Sequence, residues 1–401
     1  MSVDDQAIEE QLREELAELS ACDQLRQRSV IDGPDGRQIS LCGGPNAGKR
    51  VKLLNWAGND YQGLAQDRRV KNAAARAVRS YGAGAAASRL LSGGLRCHRR
   101  LEQRLAGWVG SDDCVVTTTG YQANLAVLAA LASSTEDTVI VDRLAHASTY
   151  DGIRLSAASM LRFSHNNLQD LERKLRLAEA SRRRIVCVES IYSMDGDEAP
   201  LREIADVCER HNAALVVDED HALGVVGPCG AGLCAELGVR PTALVGTCSK
   251  GLGSQGGFVA GSAALVEQVV NRGRSFIFST APVPAAMGAA VAALDVLRRE
   301  DDRPQQLQQR SQALRQALIA QGWQVAQGRS PIVPVLVGEA ATALRLAQAL
   351  RERGHYAPAI RPPTVPAHTA RLRILPTMAH RDTDVRRLCE AMATLRQEFT
   401  A

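Results

Sequence analysis

The sequence predicts an α/β protein with a mostly parallel sheet in a large domain and a smaller C-terminal α+β domain. Three observations predict it. Residues 113–261 alternate short β-rich apolar runs with helical stretches, the alternation that builds a parallel sheet through crossover helices. Beyond residue 285, long helical stretches alternate with only two strand-like runs. The chain has 401 residues and 45% apolar side chains, enough for two or three domains with a large core.

Taken in order, residues 1–60 read as an arm made of an N-terminal helix and a hairpin. Within it, Gly43-Gly44-Pro45-Asn46-Ala47-Gly48-Lys49 matches the first seven positions of a nucleotide-binding P-loop. Arg50 stands where that loop needs a hydroxyl for magnesium, and 51–56 reads as a strand where it needs a helix, so a hairpin turn is predicted. The large domain, 61–285, has strands predicted at 114–118, 138–141, 160–163, 185–189, 215–218, 243–247 and 258–261, with helices starting at Gln122, Leu168 and Leu201. Ligands of such sheets bind at the carboxyl ends of strands, where Asp218 and Thr247 fall. Gly251-x-Gly253-x-x-Gly256 imitates a dinucleotide fingerprint, but 258–260 continues as a strand where that motif requires a helix. An amphipathic stretch at 285–298 leads into the smaller domain, 286–401, with helices at 304–321, 340–353 and 383–397 and strands at 332–337 and 371–375. Pro304 suits a first helical turn, where its missing N–H costs nothing.

Composition excludes several classes. The 48 basic and 44 acidic side chains leave a net charge of +4, with no basic field that would argue for nucleic acid. The acidic start, 1–18, lacks the layout of a secretory signal, and no run approaches the roughly 20 apolar residues of a membrane span. A cytoplasmic protein without a membrane partner is expected. The 10 cysteines are scattered, with no CxxC pair to suggest zinc or a redox dithiol. Reduced thiols are expected, with Cys187 and Cys208 packed inside.

Chemistry concentrates at two strand ends. Lys250 lies in Gly246-Thr247-Cys248-Ser249-Lys250-Gly251, and Asp218 follows the apolar run Ala213-Ala214-Leu215-Val216-Val217. A lysine amine can hold the aldehyde of pyridoxal 5'-phosphate as a Schiff base. A carboxylate at the pyridine nitrogen keeps it protonated and makes the ring an electron sink. Thr119-Gly120-Tyr121, where a strand turns into a helix, offers a phosphate outward-pointing amides and a favourable dipole. Thr247 can add a hydroxyl donor, and Arg361 offers a planar fork for a carboxylate.

Further ordered motifs surround these: Asn59-Asp60-Tyr61-x-Gly63-Leu64, Gly82-x-Gly84, Ser88-Arg89-x-x-Ser92-Gly93, Thr119-Gly120-Tyr121-Gln122-Ala123-Asn124, Asp142-x-x-x-His146-Ala147-Ser148, Ser193-Met194-Asp195-Gly196, Asp218-Glu219-x-His221, Thr247-x-Ser249-Lys250 and Arg361-Pro362-Pro363-Thr364-Val365-Pro366. From about residue 23 to 394 the chain resembles the α-oxoamine synthases, pyridoxal-phosphate enzymes that condense an amino acid with an acyl thioester and lose carbon dioxide. The resemblance implies a fold-type I transferase. It also implies that Lys250 carries the cofactor and moves the proton at Cα, that Asp218 pairs with the pyridinium nitrogen, and that His221 contacts the phenolic oxygen. His146 is then expected to stack on the ring and Ser193 to bond near it. Ser279 and Thr280 are expected to complete the phosphate cup from a second subunit, which implies a homodimer. Arg361 is implied to grip the amino-acid carboxylate, Thr364 to contact substrate near the mouth and Asn59 to bind substrate, with Arg26 near the acyl substrate, where plain surface solvation is the competing reading.

Within the family, the tail from Ala359 to Arg373 is most similar to members using L-alanine and a pimeloyl thioester, carried by coenzyme A or acyl carrier protein. The alternatives are members using glycine and acetyl-CoA, the glycine C-acetyltransferases, or another α-oxoamine synthase with a different acyl chain. Departures from the family pattern are Asp220 where a small residue is common, Ala222-Leu223, His368, and Leu375-Pro376-Thr377-Met378, since proline cannot donate to a central ladder.

Overall fold

The computed structural model describes residues 3–26, 28–42 and 51–400, so the P-loop-like stretch 43–50 lies outside the described residues. Its flanks pair as hairpin strands: Gln38–Cys42 runs antiparallel to Val51–Asn55, with Gln38 opposite Leu54. A helix, Val3–Ala21, precedes them.

The main sheet has seven strands in the order Asp113–Thr117, Gly257–Gly261, Ala243–Thr247, Ala214–Asp218, Arg184–Glu189, Thr138–Asp142 and Ser159–Phe163. The last five run parallel to one another, and Gly257–Gly261 is antiparallel to both its neighbours. Helices cover both faces, which is why Val139, Ile140 and Val141 form a continuous apolar run with none exposed. Register then fixes what the sheet presents. Glu189 lies opposite Asp218, and Asp218 opposite Val245. Thus Asp142, Glu189, Asp218 and Thr247, the last residues of four adjacent strands, share one edge of the sheet.

The dinucleotide-like glycines lead into a strand, as the sequence predicts. Gly257 serves packing: a Cβ there would come 2.2 Å from Thr119 O and 2.4 Å from Gly120 N, so only glycine lets this strand lie against the turn before helix Gly120–Leu131. Helix Pro284–Arg299 likewise packs on Arg68–Tyr81 through Gly288, whose Cβ would sit 2.8 Å from Ala73 O. Pro304 falls in the first turn of Arg303–Ala320, as predicted.

The C-terminal part holds a sheet of Val333–Gly338, Ala370–Ile374 and Ala359–Ile360, all antiparallel. The N-terminal hairpin joins this end of the molecule, because Val51–Asn55 also pairs in parallel with His355–Tyr356. Leu54 and Trp56 accordingly share a core with Leu314, Leu346, Leu372 and Met392. The Pro376 departure breaks no ladder: the strand stops at Ile374, and Leu375 N donates to Trp56 O at 2.9 Å.

Cys187 and Cys208 are free and buried, and burial pushes the Cys208 thiol up to about 12. Among the described residues no helix is long and apolar enough to cross a membrane.

Candidate active site

Asp218 is buried at its strand end. Its Oδ2 accepts from Asn124 Nδ2 at 2.7 Å, and its Oδ1 from Asp220 N at 2.9 Å. Burial, with Asp220 nearby, pushes its carboxyl up to about 7, against the pull of Lys250 and Asn124. Asn124 projects from helix Gly120–Leu131, and the same amide nitrogen also donates to Ser148 Oγ at 3.0 Å.

Ser148 leads to His146. This histidine caps helix Ala147–Leu155, its Nδ1 accepting from Ser148 N at 3.2 Å and lying 2.7 Å from Ser148 Oγ. A ring nitrogen that accepts leaves the proton of the neutral imidazole on Nε2. Burial, reinforced by Lys250, lowers its pKa and favours that neutral form. One amide thus ties Asp218 to His146.

His221 is buried, with Nδ1 2.6 Å from Tyr61 Oη. Burial, with Lys250 and Arg373 close, drives it well below the usual histidine range, so it is neutral. Tyr61 Oη also lies 3.4 Å from Asn59 Oδ1, which accepts from Arg373 Nη1 at 3.2 Å; Arg373 Nε in turn donates to Ser193 O at 2.7 Å. Ser193 N donates to Glu189 Oε2 at 3.2 Å. Expected for substrate, Asn59 is here part of a network joining His221 to Ser193.

Lys250 Nζ donates to Asp220 Oδ2 at 2.9 Å. Burial would lower this amine, but Asp220 and Asp218 overcome it and raise its pKa. Thr247 donates to Gly256 O at 2.8 Å, and Ser249 Oγ lies 2.7 Å from the same hydroxyl. Its one proton is therefore engaged within the loop.

At the start of helix Gly120–Leu131, Thr119 accepts from Gln122 N at 3.1 Å. The Gly120 and Tyr121 amides, which can have no partner inside the helix, have no acceptor among the described residues. The Tyr121 side chain turns outward, 43% exposed, and bonds Asp151, leaving only its backbone facing the turn. Ser279 Oγ accepts from Gln122 Nε2 at 3.2 Å and Thr280 O from Thr118 Oγ1 at 3.3 Å. The chain thus brings this segment to its own helix start, where the resemblance implied a second subunit.

The second group lies on loops. Arg361 Nη2 donates to Leu25 O at 2.8 Å, and Arg26 Nη2 to Thr364 Oγ1 at 3.2 Å. Arg26, Arg361 and Thr364 line one cleft of 480 Å³; Thr364 also lines a second of 670 Å³, together with Ser193, Arg143 and Arg371. Thr364 is the hinge between the arginines and the Ser193 network.

These residues fit pyridoxal phosphate. A buried carboxylate, a lysine amine and a helix start with two free amides converge on one sheet edge, and Glu189 Oε1 and Asp220 Oδ1 are buried polar atoms without a hydrogen-bond partner. Sequence reasoning assigned no role to Asn124, Ser148, Tyr61 or Arg373. Each stood inside or beside a quoted motif, and a buried polar type within such a motif was the signal.

The sequence pattern of the aminotransferase class I and II family matches residues 51–392. The 8-amino-7-oxononanoate synthase of Anaeromyxobacter dehalogenans (strain 2CP-1 / ATCC BAA-258) is 44% identical, covering 94% of this chain and 94% of that protein. A putative 8-amino-7-oxononanoate synthase of Gloeobacter violaceus is 41% identical over 97% of this chain and 98% of its own. Among solved structures, serine palmitoyltransferase from S. paucimobilis with a bound PLP–myriocin aldimine superimposes with a TM-score of 0.89 at 29% identity, covering 96% of this chain and 97% of its own. With sheet, site and relatives in agreement, the chain belongs to the aminotransferase class I and II family, on a fold-type I, pyridoxal-phosphate-binding scaffold.

Proposed function

We propose that this chain is a pyridoxal-phosphate-dependent acyltransferase that condenses L-alanine with a pimeloyl thioester, of coenzyme A or acyl carrier protein, to give 8-amino-7-oxononanoate, carbon dioxide and the free thiol in biotin biosynthesis. The observation that carries it is the set of relatives of that name, 40–46% identical over most of both chains. When bound, the cofactor supplies an aldehyde and a ring that accepts the electron pair left at the amino acid's Cα.

The chain's own residues do the rest. Lys250 would hold the cofactor's aldehyde, and its amine, when free, would take the proton from the amino acid's Cα and later return one. Asp218, fixed by Asn124, keeps the ring nitrogen protonated. His146 and His221, both neutral, would help hold the ring, His221 at its phenolic oxygen, with Ser193 beside them. The Gly120 and Tyr121 amides would hold the phosphate, helped by Ser279 and Thr280, while Thr247, its proton given to Gly256 O, shapes the loop that carries Lys250. Arg361 grips the alanine carboxylate by its planar fork, with Thr364 lining the same cleft, Arg26 faces the acyl chain, and Asn59 contributes to substrate binding through the Arg373 network. A homodimer working in the cytoplasm completes the reading.

The test is product analysis. Purified protein given L-alanine and pimeloyl-CoA should release one thiol and one carbon dioxide per 8-amino-7-oxononanoate. If glycine with acetyl-CoA were the productive pair, the cofactor chemistry would stand and the named activity would be wrong. L-serine with a long-chain acyl-CoA is the pairing favoured by the fold likeness to serine palmitoyltransferase, and its success would overturn the reading in the same way.

A further inference from the structure

Asp220 has no part in the scheme above, yet it is the residue that Lys250 touches. Their 2.9 Å ion pair is largely shielded, with the side chains 16% and 17% exposed. Asp220 Oδ1 is buried and has no hydrogen-bond partner. The same carboxylate lies against the start of helix Gly120–Leu131: a Cβ on Gly120 would meet Asp220 Oδ2 at 2.8 Å and Oδ1 at 3.3 Å. Glycine there makes room for the carboxylate, and the helix's positive end favours it. The other charged or titratable groups acting on Lys250 are Asp218 and Tyr61, while Lys250 in turn acts on Glu189, His146 and His221. Asp218 is already engaged by Asn124 and by the Asp220 amide, and burial drives Glu189 well above the usual carboxylate range, toward the neutral form. Asp220 is left as the direct counter-charge.

We propose that Asp220 is a positioning residue that holds Lys250 as an ammonium whenever its amine is not covalently engaged. It thereby sets the pH at which this lysine becomes a nucleophile and retains the proton the lysine takes from substrate. The first consequence concerns this chain alone; the second rests on the function proposed above. For an aldehyde to join Lys250, the ammonium must first give one proton to buffer. The neutral amine's electron pair then forms the C–N bond, and the carbonyl oxygen leaves as water with the amine's two remaining protons. Asp220 opposes the first of these events.

The test is reductive methylation of the full-length, cofactor-free chain with formaldehyde and cyanoborohydride, read at Lys250 by peptide mass spectrometry from about pH 6 to 10. In Asp220→Asn and Asp220→Ala the rising limb of the rate profile should move to lower pH by about one unit or more, which is roughly a tenfold faster reaction at a given pH. Asp220→Asn keeps the shape of the side chain should the alanine variant fail to fold. Profiles coinciding with the parent's, or a shift seen only in Asp218→Asn, would overturn the proposal. A parallel titration with pyridoxal phosphate should show the same downward shift in the pH dependence of its uptake rate. No uptake by any variant would sink the functional reading while the methylation profile still decided the role of Asp220.

Discussion

The two halves of the candidate site are built differently. Around Lys250, Asp218 ends a strand, Asn124 and Ser148 stand in the first turns of helices and His146 caps one, and a continuous run of hydrogen bonds locks them: Asp218 to Asn124, Asn124 to Ser148, Ser148 to His146. Around Arg361, the side chains stand on loops, and the guanidinium bonds one backbone carbonyl and lines an open cleft. Chemistry common to a whole family needs fixed geometry, whereas substrate choice can ride on segments that change without disturbing the sheet.

The sharpest way to break this contrast is at the rigid pole. Lys250→Ala should lower turnover by at least about a thousandfold while the chain stays folded, checked by product assay beside a thermal melt. Asn124→Ala removes one side chain from two neighbours, leaving Asp218 and Ser148 each short of a donor. Cofactor affinity should fall roughly 10- to 100-fold, by equilibrium titration, with a lower melting temperature. At the loop pole the effects should separate. Arg361→Lys keeps the charge but loses the fork, so kcat/KM for the amino acid should fall by about tenfold or more with cofactor affinity unchanged.

A further test contrasts histidines by environment. His355 and His380 are buried beside Trp56, His380 stacked on it with centroids 4.0 Å apart and His355 accepting from Trp56 Nε1 at 3.0 Å. Burial pulls both down to about 4. The unfolded chain protonates these rings below about 6.5 and the folded chain only near 4, so stability is complete above the first value and falls with pH through that window. The loss is roughly 3 kcal/mol per ring. His165 runs the other way. Burial would lower it, but Asp142 and Asp197 raise it to about 9, so its contribution is complete below about 6.5 and fades as pH rises through 9. Urea unfolding at pH 5, 7.5 and 9.5 checks both signs, and His380→Phe should flatten only the acid limb. The smallest effect belongs to Thr364→Ala, which removes an exposed contact to Arg26 and should change stability by less than about 0.5 kcal/mol.

Lys250 and Asp218 were legible because strand ends in an alternating α/β pattern are where such sheets bind ligands, and a lysine and an aspartate there carry a chemical meaning. The order of the seven strands was not, since alternation says nothing of which strand neighbours which. The role of Asn124 was hidden because its partners lie 94 and 24 residues away and only tertiary packing unites them. The engaged proton of Thr247 and the outward turn of Tyr121 were equally invisible, as both depend on side-chain direction. Asp220 was legible as a departure, but its partner was not.

The pairing of Val51–Asn55 with His355–Tyr356, sealed where Trp56 O receives Leu375 N, has a consequence for the order of assembly. As the chain leaves the ribosome, residues 113–261 can close the seven-stranded sheet among themselves, while the hairpin made near the beginning must wait for residues 355–375. The stretch synthesised early is thus among the last to be secured, and until then its Leu54 and Trp56 have no core to enter. A chain stopped short of residue 355 would carry a formed main sheet and an unsheltered apolar arm, the kind of intermediate that chaperones hold.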